Sequence, residues 1–183
     1  MSDELVVRHC APTMAGLKTG NIFNCTFSCT DELTDSIRHY NNCLSSKGLR
    51  IIPLRTDKNR ALIYVFRPEL LGRDLKSAKA KKLLVERGYP IHKVNQCVMH
   101  LMNRLRESDG FPHEIGLFLG YPPEDVEGFI ENRAEGCKCV GCWKVYGDEA
   151  AAKEIFAKYK KCTRVYCARH SKGTSIERLT VTV

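Results

Sequence analysis

A chain of 183 residues, 43% hydrophobic and 27% charged, has the composition of a folded protein and excludes a disordered one. No run of about eighteen apolar residues occurs, so no membrane-spanning helix is expected. The net charge of +8 leaves room for an anionic partner without requiring one.

The first predicted element, Leu5-Val-Val-Arg-His-Cys, is a short strand or the lead-in to a shaped turn over residues 11–20, where a proline and two glycines interrupt regular structure. The Met1-Ser-Asp-Glu start carries acids where a secretory signal is basic, so a cytoplasmic location is expected. Residues 31–43 read as a helix, with Thr30 or Asp31 as cap and Leu33, Ile37, Tyr40 and Leu44 recurring at helical spacing until Gly48. Two apolar, β-branched runs, 49–55 and 60–67, joined by Thr56-Asp-Lys-Asn, form the best hairpin in the chain. Pro53 places the first of them at a sheet edge, because proline cannot donate to a ladder.

Helices follow over residues 69–87, stopped by Gly88 and Pro90, and over 91–107, with Val94, Val98, Leu101, Met102 and Leu105 on one face. Residues 112–120 fit either a short helix, with proline at its start and glycine at its end, or a strand in which Ile115, Leu117 and Leu119 alternate. Pro122-Pro-Glu-Asp-Val is a clear helix start. Trp143-Lys-Val-Tyr is a predicted strand, residues 149–160 a helix, and Thr163-Arg-Val-Tyr-Cys and Leu179-Thr-Val-Thr-Val two further strands. No repeat or linker divides the chain. The expectation is one mixed α/β domain over 1–183, with a mostly antiparallel or mixed sheet flanked by helices.

Charge comes in blocks. Residues 69–106 hold nine Lys and Arg against three acids, 107–135 one against eight, and 153–178 eight against two. Such blocks compensate one another or offer a basic face to an acidic protein partner. The acids at 124, 125, 127 and 131 repel phosphate, which rules out sequence-specific DNA binding through a helix–turn–helix over 112–132.

Chemistry concentrates between Phe111 and Asp148, where His113, Glu114, three cysteines, the only tryptophan and six glycines fall within forty residues. An imidazole beside a carboxylate is a common kit for proton transfer or metal ligation, and glycines let a substrate approach closely. In this reading His113 is acid/base or ligand and Glu114 orients it. Lys18, amid small residues, contacts an anion, while Tyr121 and Trp143 line the pocket. His9-Cys10 adds a nucleophile reading, Cys10 attacking with His113 as a remote base. The rival reading is Cys137-Lys-Cys139-Val-Gly-Cys142, three soft ligands able to grip zinc, copper(I) or an iron–sulfur cluster with Cys162, Cys167 or His113 as the fourth, or a redox pair at Cys139 and Cys142. Ten cysteines in a reducing compartment are free thiols, ligands or core residues, with Cys43 and Cys97 expected in the core. No phosphate-binding loop, dinucleotide fingerprint or G-x-S-x-G elbow is present.

The combination FPHEIGLFLGYPPEDVEGFIEN, then WKVYGD, then an alanine-rich helix closing on Tyr159-Lys-Lys-Cys162, together with Ala11-Pro-Thr and Gly-Leu-Lys18, resembles a bacterial family seen mainly in anaerobes, domain of unknown function three-seven-nine-three. The resemblance spans most of the chain. It implies a cytoplasmic bacterial protein whose signature segments are those just described, and it carries no activity with it.

Overall fold

Ser2 opens the fold. Its hydroxyl accepts from the Leu5 N–H (3.3 Å), and Asp3 and Glu4 fill the first turn of α1 (Asp3–Met14). The strand expected at residues 5–10 is therefore helix, and the helix continues through Pro12 before turning at Gly16 (φ 72°). The β-branched Val6 and Val7 suggested a strand, yet both lie on the buried face of α1 with Cys10, Ala11 and Met14. The computed structural model describes residues 1–107 and 110–183.

Two units divide the chain, one of residues 1–70 with 159–183 and the other of residues 71–158. The chain passes between them within α3 (Pro68–Asp74) and again within α8 (Glu149–His170).

The first unit is built on β1 (Gly20–Thr26), β2 (Arg50–Asp57) and β3 (Arg60–Phe66), an antiparallel sheet in the order β1-β3-β2. The expected hairpin is β2–β3, with Asp57 opposite Arg60 and Lys58 at positive φ (47°) in the turn. Pro53 lies on edge strand β2, where the register shifts before Arg55. Helix α1 packs on β1, and α2 (Thr30–Leu44) packs on β2. Val6, Cys10, Met14, Leu33, Tyr40, Leu44, Ile51 and Ile63 close one core with Ile176 and Leu179 of α9 (Ile176–Leu179). The terminal strand expected at 179–183 is thus the end of α9 and an extended tail, whose Val181 N–H donates to Met14 O (3.1 Å). The strand expected at 163–167 is the second half of α8; Tyr159, Cys162, Thr163, Tyr166, Cys167 and His170 turn inward at helical spacing.

Arg67 ties this unit together. It is 1% exposed, and its guanidinium donates to the carbonyls of Thr13 (2.7 Å), Met14 (2.7 Å), Lys47 (2.9 Å) and Val181 (2.8 Å). Two of those acceptors are last-turn carbonyls of α1, so the side chain caps that helix.

The second unit is helical. The helix expected over 69–87 is broken into α3, which ends at Asp74, and α4 (Ala78–Val85), which Ser77 caps by accepting from the Ala80 N–H (3.3 Å). Then come α5 (Val94–Glu107), α6 (Ile115–Phe118) and α7 (Pro123–Glu131). Helix, not strand, is the outcome at 112–120, and Gly120 (φ 74°) ends it. A two-stranded ribbon of β4 (Cys139–Val140) and β5 (Lys144–Val145) pairs Cys139 with Val145, and α8 follows. Among the described residues no helix is long and apolar enough to cross a membrane.

Candidate functional site

Asp125, read from sequence as one of four acids that repel phosphate, organises the signature region. The α7 turn buries it to 3% exposure, and both carboxylate oxygens are used. Oδ2 accepts from Trp143 Nε1 (2.6 Å), and Oδ1 accepts from the Tyr146 and Gly147 N–H groups (2.7 Å each). A buried tryptophan needs a partner for its N–H, and the one tryptophan in the chain is the signal that could have pointed to Asp125.

The glycines of this region are where side chains cross. A Cβ on Gly116 would lie 2.8 Å from Val126 Cγ2, one on Gly128 would lie 2.6 Å from Tyr146, and one on Gly147 would lie 2.8 Å from Glu124. Gly141 has no room because the Phe156 ring lies on it. Tyr121 stacks on Trp143 (4.8 Å between centroids), which meets Phe156 edge-on (4.5 Å). The Tyr121 hydroxyl donates to Cys142 O (3.1 Å), and burial pushes its pKa up to about 12. Packing thus requires four of the six glycines in this stretch, and the other two, Gly120 and Gly136, hold positive φ (74° and 66°).

His113 and Glu114 point to different surroundings. His113 is exposed, its ring edge-on to Phe129 at 5.0 Å. Glu114 is 2% exposed: Tyr89 donates its hydroxyl proton to Oε1 (2.8 Å), Arg104 Nε lies 3.0 Å from the same oxygen, and Arg87 Nε is 3.9 Å from Oε2. Burial, and then the Glu114 charge, hold the Tyr89 phenol well above its ordinary pKa. The carboxylate serves a cluster of buried Tyr89 with half-buried Arg87 and Arg104, and the orienting role expected toward His113 is not what its partners describe.

Cys10 and Lys18 belong to the first unit, His113 and Glu114 to the second. Cys10 is fully buried in the core, and burial pushes its thiol far up, outweighing the opposite pull of Lys18. A sealed, protonated thiol does not fit the attacking role. Lys18 is 6% exposed, with Nζ 5.9 Å from the Tyr159 ring centre.

All ten cysteines are free thiols. Of the two expected in the core, Cys97 is buried and Cys43 half-buried, 4.0 Å from His39 Nε2. Cys137 and Cys139 are half-buried and Cys142 exposed, around the β4–β5 turn. Cys162 and Cys167, expected as a fourth ligand, lie in the first unit. Among the described residues no group of three or more His, Cys, Asp or Glu side chains is disposed to hold a metal ion.

One cavity touches the signature segment. It has a volume of about 350 Å³ and is lined by Arg73, Asp74, Ser77, Leu117, Gly120, Tyr121, Pro122 and Pro123. Ser77 is the N-cap of α4 and Pro122 that of α7, so two helix N-termini face one space. The first N–H groups of a helix have no acceptor within it and carry partial positive charge; in α4 these are the N–H groups of Ala78 and Lys79, while α7 adds only that of Glu124, because Pro123 has no N–H and Asp125 donates to Pro122 O (2.9 Å). Arg73 adds a largely exposed guanidinium; Asp74, 3.5 Å away, is the one carboxylate in the wall. Sequence reasoning missed Arg73 and Ser77 because they were read as interior positions of one long helix.

A family model described as "Protein of unknown function (DUF3793)" matches residues 6–180. No curated protein and no protein of solved structure matches the chain.

Proposed function

The chain belongs to the DUF3793 family, and from that premise we propose that its signature segment serves a small-molecule site, which binds a carboxylate or phosphate in the cavity at the N-termini of α4 and α7. The observation that carries the reading is that Ser77, Pro122 and Arg73 line one cavity with Leu117, Gly120 and Tyr121 of the signature. Unbonded N–H groups at a helix start and a guanidinium are a recurring cradle for an anion. Tyr121, backed by Trp143, offers an apolar wall to the rest of the ligand. In this reading His113 stands outside the cavity lining, and Arg73 takes the anion contact expected of Lys18.

Thermal unfolding of the full chain in increasing inorganic phosphate, at constant ionic strength set with chloride, tests the proposal. Phosphate is expected to raise the midpoint, and Arg73→Ala, an exposed position, to reduce the rise severalfold while leaving the phosphate-free midpoint within about 2 °C. An equal rise in wild type and variant would overturn the reading.

A further inference from the structure

The positive charge of this protein lies in its first unit, where fifteen Lys and Arg stand against eight Asp and Glu; the second unit has fourteen against thirteen. Within the first unit the excess is concentrated on the last stretch of chain, where residues 159–178 hold six basic side chains and one acid. The inward face of α8 takes up Tyr159, Cys162, Thr163, Tyr166, Cys167 and His170. That leaves Lys160, Lys161, Arg164 and Arg169 exposed along about 14 Å of helix, with Lys172 exposed just beyond it. Among the described residues, none of these five is in a salt bridge.

At its C-terminal end this face runs into a groove of about 610 Å³ between α1 and α8, the most capacious of the cavities described. Arg8, His170 and Ser171 supply donors along its walls, Val7, Cys167 and Ala168 line the rest, and Glu4 is its only carboxylate.

We propose that the exposed basic face of α8, continued by the Arg8–His170–Ser171 groove, binds the phosphodiester backbone of nucleic acid. The choice of partner rests on what the face lacks. A protein–protein interface is organised around an apolar centre of aromatic or large aliphatic anchors, and between the cations here stand only Val165, 39% exposed, and Ala168. Phosphate contact asks for cations and hydrogen-bond donors alone and carries no base information. Sequence-independent binding is therefore expected, independent of the anion site in the second unit.

Fluorescence anisotropy of the full chain with a labelled duplex of about 20 base pairs, as DNA and as RNA, between about 50 and 200 mM salt, decides it. Binding of both duplexes is expected, with log K falling against log[salt] at a slope of about −3 to −5, four or five phosphates being neutralised. The triple variant Lys160→Glu, Lys161→Glu, Arg164→Glu is expected to weaken binding at least tenfold with unchanged helicity. A control of equal charge change in the second unit, Lys76→Glu, Lys81→Glu, Arg106→Glu, is expected to weaken it less than threefold. Equal losses in the two variants would reduce the effect to net charge and overturn the assignment. Absence of binding at 50 mM salt would overturn it too, as would binding of polyglutamate without binding of either duplex, which would point to an acidic polypeptide.

Discussion

Asp125 and Glu114 are both sealed carboxylates, yet their surroundings differ. Glu114 has two guanidinium groups and a phenol around it, whereas the donors to Asp125 are one indole and two main-chain N–H groups. Asp125 thus holds the start of the α7 helix to the β4–β5 ribbon through three short bonds to a single charge. Asp125→Asn keeps its shape but turns an amide N–H₂ toward one set of donors, leaving a buried N–H unsatisfied. The expected loss is about 2–3 kcal/mol in urea unfolding, with a change in Trp143 fluorescence; unchanged stability and emission would mean that the pocket accepts a neutral acceptor equally well. The sequence made His113 conspicuous and Asp125 ordinary, because residue type and neighbours are visible in it while burial is not. His113 proves exposed, and its adjacent Glu114 faces a different set of partners. The tryptophan was the legible clue, since a buried indole N–H demands an acceptor from somewhere.

At the scale of elements, the signature glycines set how closely α6, α7 and the β4–β5 ribbon approach. Gly128 lies in α7 at a place where a Cβ would stand 2.6 Å from Tyr146 Cβ and Cγ. Tyr146 is anchored through its own N–H to Asp125, so it cannot retreat freely. Gly128→Ala is therefore expected to destabilise by about 1–3 kcal/mol despite the better helix propensity of alanine; a stabilised variant in thermal unfolding would show that the contact relaxes. Periodicity and turn chemistry located α2, α5, α7 and the β2–β3 hairpin, where each local signal agreed with the tertiary outcome. They failed at α1 and at the second half of α8. There Val6, Val7, Thr163 and Val165 suggested strands, and it was the Ser2 cap and the unbroken inward spacing of Tyr159, Cys162, Tyr166 and His170 that decided for helix. β-branching is a weak preference, and burial of one face overrides it.

Across the whole molecule, chain ends and middle are tied by groups far apart in sequence, which no local pattern reveals. Arg67 joins carbonyls 53, 54, 20 and 114 residues away. Burial pulls its pKa down from the ordinary arginine value, and the group remains a cation satisfied by carbonyl dipoles. Arg67→Ala is expected to cost at least about 3 kcal/mol, because four carbonyls lose a charged donor together and, among the described residues, only those of Thr13 and Met14 keep a main-chain one, from Gly16 and Val181. Arg67→Lys recovers only part, since an ammonium cannot span the same fork. Wild-type stability in both would show that water replaces the guanidinium without penalty. The division of charge was visible in the sequence as blocks, but which surface each block occupies was not. The basic residues at 160–172 emerge on one exposed side of a helix, while eight acids are spread over residues 107–135 in the second unit.

The most direct test of the anion site is a two-dimensional amide NMR titration of the full chain with inorganic phosphate. The amides of Ala78, Lys79, Gly120 and Tyr121 are expected to shift first and saturably, and Arg73→Ala to weaken the apparent affinity. Phosphate-induced shifts that avoid these four amides, or that are unaltered in the variant, would contradict it.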